Sequence, residues 1–193
     1  MSGTVVIDDV LEKEDFEMTQ GAIMHDQFDW QFRKGIKDAS VNDSQMVHTF
    51  HFQGMQATTP ERFSILYPLL NYIQPAGILR IKANLNAKTN EHYETGLHVD
   101  VMVPGSLTAI YYVNTNNGYT YFEDGQKIES VGNRLVIMPS NLPHAGATCT
   151  DELRRVVINF NYLPFGHNNI WQKLMTNDDI QYLETWTEAA KGY

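Results

Sequence analysis

The stretch Thr95-Gly96-Leu97-His98-Val99-Asp100-Val101 decides the reading of this chain. Taken as a strand, it places His98 and Asp100 on one face, because side chains two apart in a strand project together. A second stretch supplies their partner: Pro143-His144, followed by Arg154-Arg155-Val156-Val157-Ile158-Asn159-Phe160. Two imidazoles and one carboxylate can cap one face of an octahedral metal ion and leave the opposite face open. An arginine on a later strand can hold a carboxylate remote from that metal through a charge-assisted pair.

Strand patterns surround both stretches. Residues 78–86, 96–101, 106–114, 119–122, 126–130, 133–138 and 154–163 read as strands. Turn signals separate them at Asn116-Asn117-Gly118, Asp124-Gly125, Gly132-Asn133 and Ser140-Asn141. Short strands in this rhythm predict a sandwich, jelly roll or small barrel. Upstream, residues 5–7 read as a short strand, 11–26 as an amphipathic helix with acidic residues near its start, 28–32 and 46–52 as strands, and 34–43 as a polar loop. Thr59 before Pro60 suits the start of a helix over 60–73, whose apolar residues Phe63, Leu66, Leu69, Leu70 and Ile73 recur at helical spacing. Pro68 inside that run is expected to kink or split it. Residues 169–191 read as a terminal helix. No repeat or linker divides the chain, so 1–193 is expected to form one domain, mainly β with flanking helices.

Two strands carry a polar face that bears on function. In 78–86, Ile81, Ala83 and Leu85 alternate with Lys82, Asn84 and Asn86. In the last strand, Val156, Ile158 and Phe160 alternate with Arg155, Val157, Asn159 and Asn161. Either strand alone fits a sheet with its back to water. Both also fit a barrel whose polar faces line a cavity while the apolar faces pack on helices. The His98, Asp100 and His144 set favours the cavity.

Composition narrows the class. The 193 residues suffice for one domain with a proper core, and no apolar run approaches the roughly 18 residues of a membrane helix. A net charge of −9 disfavours nucleic acid as a partner. Cys149 is the sole cysteine, so no internal disulfide forms, and a cytoplasmic, reducing location is the expectation. Oligomeric state is not readable from the sequence.

The ordered set His98-Val99-Asp100, Thr108-Ala109-Ile110-Tyr111-Tyr112-Val113-Asn114, Pro143-His144 and Arg155-Val156-Val157-Ile158-Asn159-Phe160 resembles the Fe(II)/2-oxoglutarate-dependent dioxygenases, in the prolyl-4-hydroxylase-like branch. The resemblance covers residues 78–163. It implies a double-stranded β-helix, a cupin-like jelly roll, with His98, Asp100 and His144 as iron ligands and catalytic centre. It further implies that a basic residue of the last strand binds the distal carboxylate of 2-oxoglutarate. Strand parity favours Arg155, on the polar face, over Arg154, which shares a face with Val156, Ile158 and Phe160. Tyr112 is implied beside the same carboxylate, with Asn84 and Asn159 on strands lining the co-substrate pocket. The stretch Gly118-Tyr119-Thr120-Tyr121-Phe122 departs from the family's Gly-Gly-Glu-Thr-like pattern. The implied activity consumes O2 and 2-oxoglutarate, with ascorbate as accessory reductant, and hydroxylates an aliphatic C–H of a peptide or small molecule, peptidyl proline being the leading guess. A hydroxylase of a small metabolite, or a non-catalytic jelly roll that binds or scaffolds, are the alternatives, followed by a cupin enzyme of another reaction type.

Other polar residues point to structure. His48 and His51 face opposite ways on a strand and suit packing. His25, His92 and His167 are isolated. Cys149 has no His or Asn in register to make it a nucleophile, and Glu123-Asp124 falls in a hairpin turn.

Overall fold

In the computed structural model, residues 3–33 and 44–165 are described. The loop expected at 34–43, the helix expected at 169–191 and His167 lie outside them. The chain runs β1 (Val5–Ile7), α1 (Lys13–Ile23), β2 (Gln31–Arg33), β3 (Gln45–Phe52), β4 (Met55–Gln56), α2 (Pro60–Ser64) and α3 (Tyr67–Ile73). It continues as β5 (Pro75–Ala87), β6 (Leu107–Tyr112), β7 (Tyr119–Phe122), β8 (Lys127–Glu129), β9 (Arg134–Pro139), β10 (His144–Gly146) and β11 (Arg154–Pro164).

Two antiparallel sheets face each other. The larger is ordered β1-β9-β6-β11-β5-β3-β2, with β4 pairing β3, and the smaller β10-β7-β8. This is the expected jelly roll. One face of the larger sheet carries Ile81, Ala83, Ala109, Ile158 and Phe160, which pack with Ile23 of α1 and with Leu66, Leu69 and Ile73 around α3. The opposite face meets the smaller sheet through Tyr112, Val136, Met138 and Val157 on one side and Phe122 and Ile128 on the other. The alternation in β5 and β11 therefore divides helix-facing from sheet-facing residues. Among the described residues, no helix is long and apolar enough to cross a membrane.

The helical segments show how local chemistry sets boundaries. Pro68 splits the 60–73 run into α2 and α3, lying in the first turn of α3 where its missing N–H costs nothing. Thr59 caps α2, its hydroxyl accepting from the Arg62 amide at 3.3 Å. Helix α1 begins at Lys13 rather than residue 11 because the preceding backbone is bonded elsewhere. Asn133 takes the Leu11 amide on its Oδ1 at 3.0 Å and donates its Nδ2 to the Leu11 carbonyl at 2.8 Å. Its own carbonyl accepts from the Val10 amide at 3.1 Å. The strand expected at 28–32 is confined to Gln31–Arg33, since the Phe28 and Trp30 amides close turns onto the His25 and Phe28 carbonyls.

Asn133 is buried and has a positive φ of 66°, a conformation asparagine tolerates better than other non-glycine residues. Asn133→Ala removes both side-chain bonds to Leu11 and keeps the strained backbone. It should cost about 2–4 kcal/mol of unfolding free energy, measured by urea denaturation. Asn133→Gly should cost less, because glycine relieves the backbone part.

A His-Asp-His cluster at the mouth of a cationic cavity

The segment around His98 is extended but is not the regular strand expected at 96–101. Its backbone pairs with the β10 segment through two isolated bridges, Glu94 to Ala147 and His98 to His144, and the Thr95 hydroxyl adds bonds to Gly146. Four steps on one side match three on the other, so the register slips between the bridges and no continuous ladder forms. The bridge that matters is intact: His98 and His144 exchange both backbone hydrogen bonds at 3.0 Å. This clamps the two imidazoles side by side, with ring centroids 5.0 Å apart.

Asp100 completes the cluster. One ligand atom from each of His98, Asp100 and His144 lies within 4.8 Å of the others. The His98 Nε2 is 3.7 Å from Asp100 Oδ1 and the His144 Nε2 is 3.8 Å from Asp100 Oδ2. The His144 Nδ1 lies 2.9 Å from the Leu142 carbonyl and must donate to it, which leaves Nε2 as the atom with a lone pair. That Nε2 is buried and has no hydrogen-bond partner. An orphaned imidazole lone pair aimed at a carboxylate and a second imidazole fits a divalent metal ion.

The surroundings keep Asp100 and His144 in their ligating states. Burial alone would raise the Asp100 carboxyl, but the neighbouring His98 imidazole and the Arg80 charge override it and hold the group well below the usual carboxylate range. Arg80 Nη2 approaches Asp100 Oδ1 at 2.8 Å, and Asn161 Nδ2 donates to Asp100 Oδ2 at 3.0 Å. Asn161 is fixed in turn by Arg80 Nε and by the Thr108 hydroxyl, both at 2.8 Å. Burial pushes the His144 imidazole down, so it is neutral at pH 7.

Behind the cluster lies a cavity of about 170 Å³ between the two sheets. The polar faces of β5 and β11 line it, as the alternation implied, with Lys82, Asn84, Asn86, Arg155 and Asn159 on its wall. The Oδ1 atoms of Asn84 and Asn159 are buried without partners. Arg155 is 3% exposed and donates to the Ser130 hydroxyl at 2.8 Å and the Thr120 hydroxyl at 3.1 Å. Among the described residues no carboxylate pairs with it. Glycines make the room it occupies: a Cβ on Gly118 would lie 2.6 Å from Arg155 Cδ, and one on Gly146 would lie 3.3 Å from its Nη1. Arg154 points the other way and donates to the Met24 carbonyl at the end of α1 at 2.6 Å.

Tyr112 belongs to the Arg155 neighbourhood without lining the cavity. Its ring centroid is 5.5 Å from the guanidinium carbon, and its hydroxyl donates to Thr120 at 2.7 Å. The remaining sequence candidates fall outside the site. His48 is buried between Asp29 and Thr58, Cys149 is buried with its thiol on the Glu152 carbonyl, and Asp124 accepts from the Gln126 amide within its turn. Sequence reasoning assigned no role to Arg80, Thr108, Asn161, Thr120 or Ser130. The Arg80, Lys82, Asn84, Asn86 alternation carried a signal for the first of these; the hydroxyls carried none.

No family profile matches the sequence, and no curated protein does. Solved structures do. The fold is similar to a prolyl hydroxylase from Trichoplax adhaerens in complex with a hypoxia inducible factor peptide fragment, at 12% identity, 84% coverage of each chain and a TM-score of 0.59. It is similar to a 2OG-Fe(II) oxygenase-family oxidoreductase from Burkholderia pseudomallei, at 11% identity, 83% and 85% coverage and a TM-score of 0.59. HygX from Streptomyces hygroscopicus, solved with nickel, 2-oxoglutarate and hygromycin B, is similar at 12% identity, 86% and 84% coverage and a TM-score of 0.53. At these identities the likeness establishes the double-stranded β-helix fold.

Lys82 offers a pH test of the cavity. Burial, reinforced by the Arg80 charge, pushes its ammonium from an ordinary 10.5 down to about 8. Below pH 8 the lysine is charged in both folded and unfolded chains, and folding bears the full cost of burying that charge. Between pH 8 and 10.5 the unfolded chain holds more protons, so this cost fades as pH rises. Lys82→Met should therefore be more stable than the wild type at pH 7, with a gap that closes towards pH 10.5 in melting experiments across that range.

Proposed function

We propose that the protein is an Fe(II)- and 2-oxoglutarate-dependent dioxygenase that hydroxylates an aliphatic C–H bond. One observation carries this reading: three convergent ligand atoms, one an orphaned buried imidazole nitrogen, stand at the mouth of a cavity that also holds a buried arginine with no carboxylate partner among the described residues. His98, Asp100 and His144 would hold the iron. Arg155, braced by Thr120 and Ser130, would take the distal carboxylate of 2-oxoglutarate, with Asn84 and Asn159 offering polar contacts along the way. HygX, solved with nickel and 2-oxoglutarate, and the 2OG-Fe(II) oxygenase-family oxidoreductase support the same reading.

The bound iron would couple decarboxylation of 2-oxoglutarate to O2 reduction, one oxygen atom passing to succinate and the other to the substrate C–H. The chain's own residues orient and insulate that chemistry. Arg80 and Asn161 hold the Asp100 carboxylate in place, so the ligand geometry precedes metal binding. Tyr112 walls the guanidinium of Arg155 from the apolar layer, and its own hydroxyl proton stays put, because burial raises it. Ile110 and Val157 give the cavity an apolar flank that limits water near the reacting centre. The prime substrate is open to two classes, since one neighbour holds a peptide fragment and another hygromycin B. A peptidyl proline is the candidate that the prolyl-hydroxylase resemblance supplies.

Succinate formation from 2-oxoglutarate with Fe(II), ascorbate and O2 tests the activity, and no succinate above an iron-only blank would overturn it. Arg155→Ala should weaken 2-oxoglutarate binding roughly ten- to a hundred-fold in an anaerobic titration, the value of a lost charge-assisted bidentate pair. Arg154→Ala should bind it within about two-fold of the wild type, because that side chain faces α1. A larger loss in Arg154→Ala would contradict the assignment. A proline-peptide panel read by mass spectrometry for one added oxygen tests the peptide class.

A further inference from the structure

The cavity wall is more cationic than a single dicarboxylate requires. Among the described residues, Arg80, Lys82 and Arg155 line it against Asp100 as the lone carboxylate, an excess of two positive charges. This occurs in a chain of net charge −9 with only 14 lysines and arginines, so the cavity runs against the charge of the whole protein. Bound Fe(II) and a 2-oxoglutarate dianion cancel one another and leave the excess standing.

The charges are also divided between two places. Arg155 sits opposite Asn86 in the β11–β5 ladder, whereas Lys82 sits opposite Asn159. Four residues along β5 separate the two pairs, roughly 13 Å of extended strand. Arg155 is tied to the hydroxyls of Thr120 and Ser130 at its own end. Arg80 follows Lys82 on the same face, opposite Asn161, and is engaged with Asp100. Lys82 itself has no ion-pair partner among the described residues. Arg33 adds a further positive charge nearby, since it pairs across the strands with Gln45 of the cavity wall. Burial is the main cause of the depressed Lys82 pKa, and Arg80 and Arg33 add to it against the opposing charge of Asp100. A half-buried ammonium in a positive field is costly, and an anion bound beside it offsets that cost.

We propose that the prime substrate is a small anionic molecule, a carboxylate or a phosphate monoester, whose anionic group is held by Lys82 in the field of Arg80 and Arg33. This rests on the dioxygenase reading for the word substrate; the anion site stands on the cavity charges themselves. A neutral proline peptide would leave Lys82 uncompensated. Specificity then comes from charge at the Lys82 end and from co-substrate recognition at the Arg155 end.

The test uses the full chain with Mn(II) and saturating 2-oxoglutarate, which fills the Arg155 end without turnover. Hexanoate, hexyl phosphate, hexanamide and hexylamine are titrated in turn by ligand-observed NMR. At least one of the two anions should bind about ten-fold or more tighter than hexanamide, with hexylamine weakest; which anion wins identifies the group. Lys82→Met should reduce that preference to within about two-fold, and Lys82→Arg should keep most of it. Equal binding of anions and hexanamide by the wild type would overturn the proposal, as would an unchanged preference in Lys82→Met. Loss of 2-oxoglutarate affinity by about ten-fold in Lys82→Met would also overturn it, because Lys82 would then serve the co-substrate. If the wild type binds no 2-oxoglutarate but still prefers the anions through Lys82, the anion site stands and the dioxygenase reading falls.

Discussion

The register of β11 between β5 and β6 is the constraint on which the rest depends. In that register Arg155, Val157, Asn159 and Asn161 face the cavity side while Val156, Ile158 and Phe160 face the helices. Side chains alternate with a period of two, so a slip of one residue would exchange the two sets. Arg155 and Asn161 would enter the apolar layer over α1 and α3, and three large hydrophobes would fill the site. The register is enforced from both flanks, by Asn84 and Lys82 of β5 and by Thr108 and Ile110 of β6 standing opposite their partners. The asparagine that braces Asp100 and the arginine at the far end of the cavity are thus placed by one pairing.

A second feature follows from enclosing a polar face. The jelly roll buries the inner face of its larger sheet beneath a smaller one, and the polar groups there must find partners or carry a cost. Most do: Asn161, Thr108, Ser140 and Asp100 bond one another. The groups that do not are His144 Nε2 and the Oδ1 atoms of Asn84 and Asn159, and Lys82 lies beside them. Thr19 Oγ1, Trp30 Nε1 and His51 Nδ1 are unsatisfied elsewhere, but the three that share this cavity mark a place where stability is given up for binding.

Much of this was legible from the residues in order. The convergence of His98, Asp100 and His144, the cavity-facing side of Arg155 against the helix-facing side of Arg154, the division of β5 and β11 into two faces, and the split at Pro68 all depend on local spacing, while the roles of these side chains remain the proposal made above. The regular strand over 96–101 does not form. Its bridges to β10 are staggered by one residue, a property of how two distant segments meet that neither segment shows alone. The roles of Gly118 and Gly146 were hidden for the same reason: each glycine is needed because of the Arg155 side chain, which arrives from another strand. Arg80 was visible on the right face of β5, but its grip on Asp100 depends on where an irregular segment ends. Asn133 read simply as a turn residue, and its hold on Leu11 spans 122 positions.

The central claim is that His98, Asp100 and His144 bind one metal ion that 2-oxoglutarate chelates within the same cavity. Anaerobic visible absorption of the Fe(II)-loaded protein tests this most directly, because an α-keto acid bound through two oxygens to ferrous iron gives a metal-to-ligand charge-transfer band that neither component gives alone. The account predicts a band that appears on adding 2-oxoglutarate, saturates at one equivalent of iron per chain, and is absent in Asp100→Ala. No band in the wild type, or a band of undiminished intensity in Asp100→Ala, would contradict it.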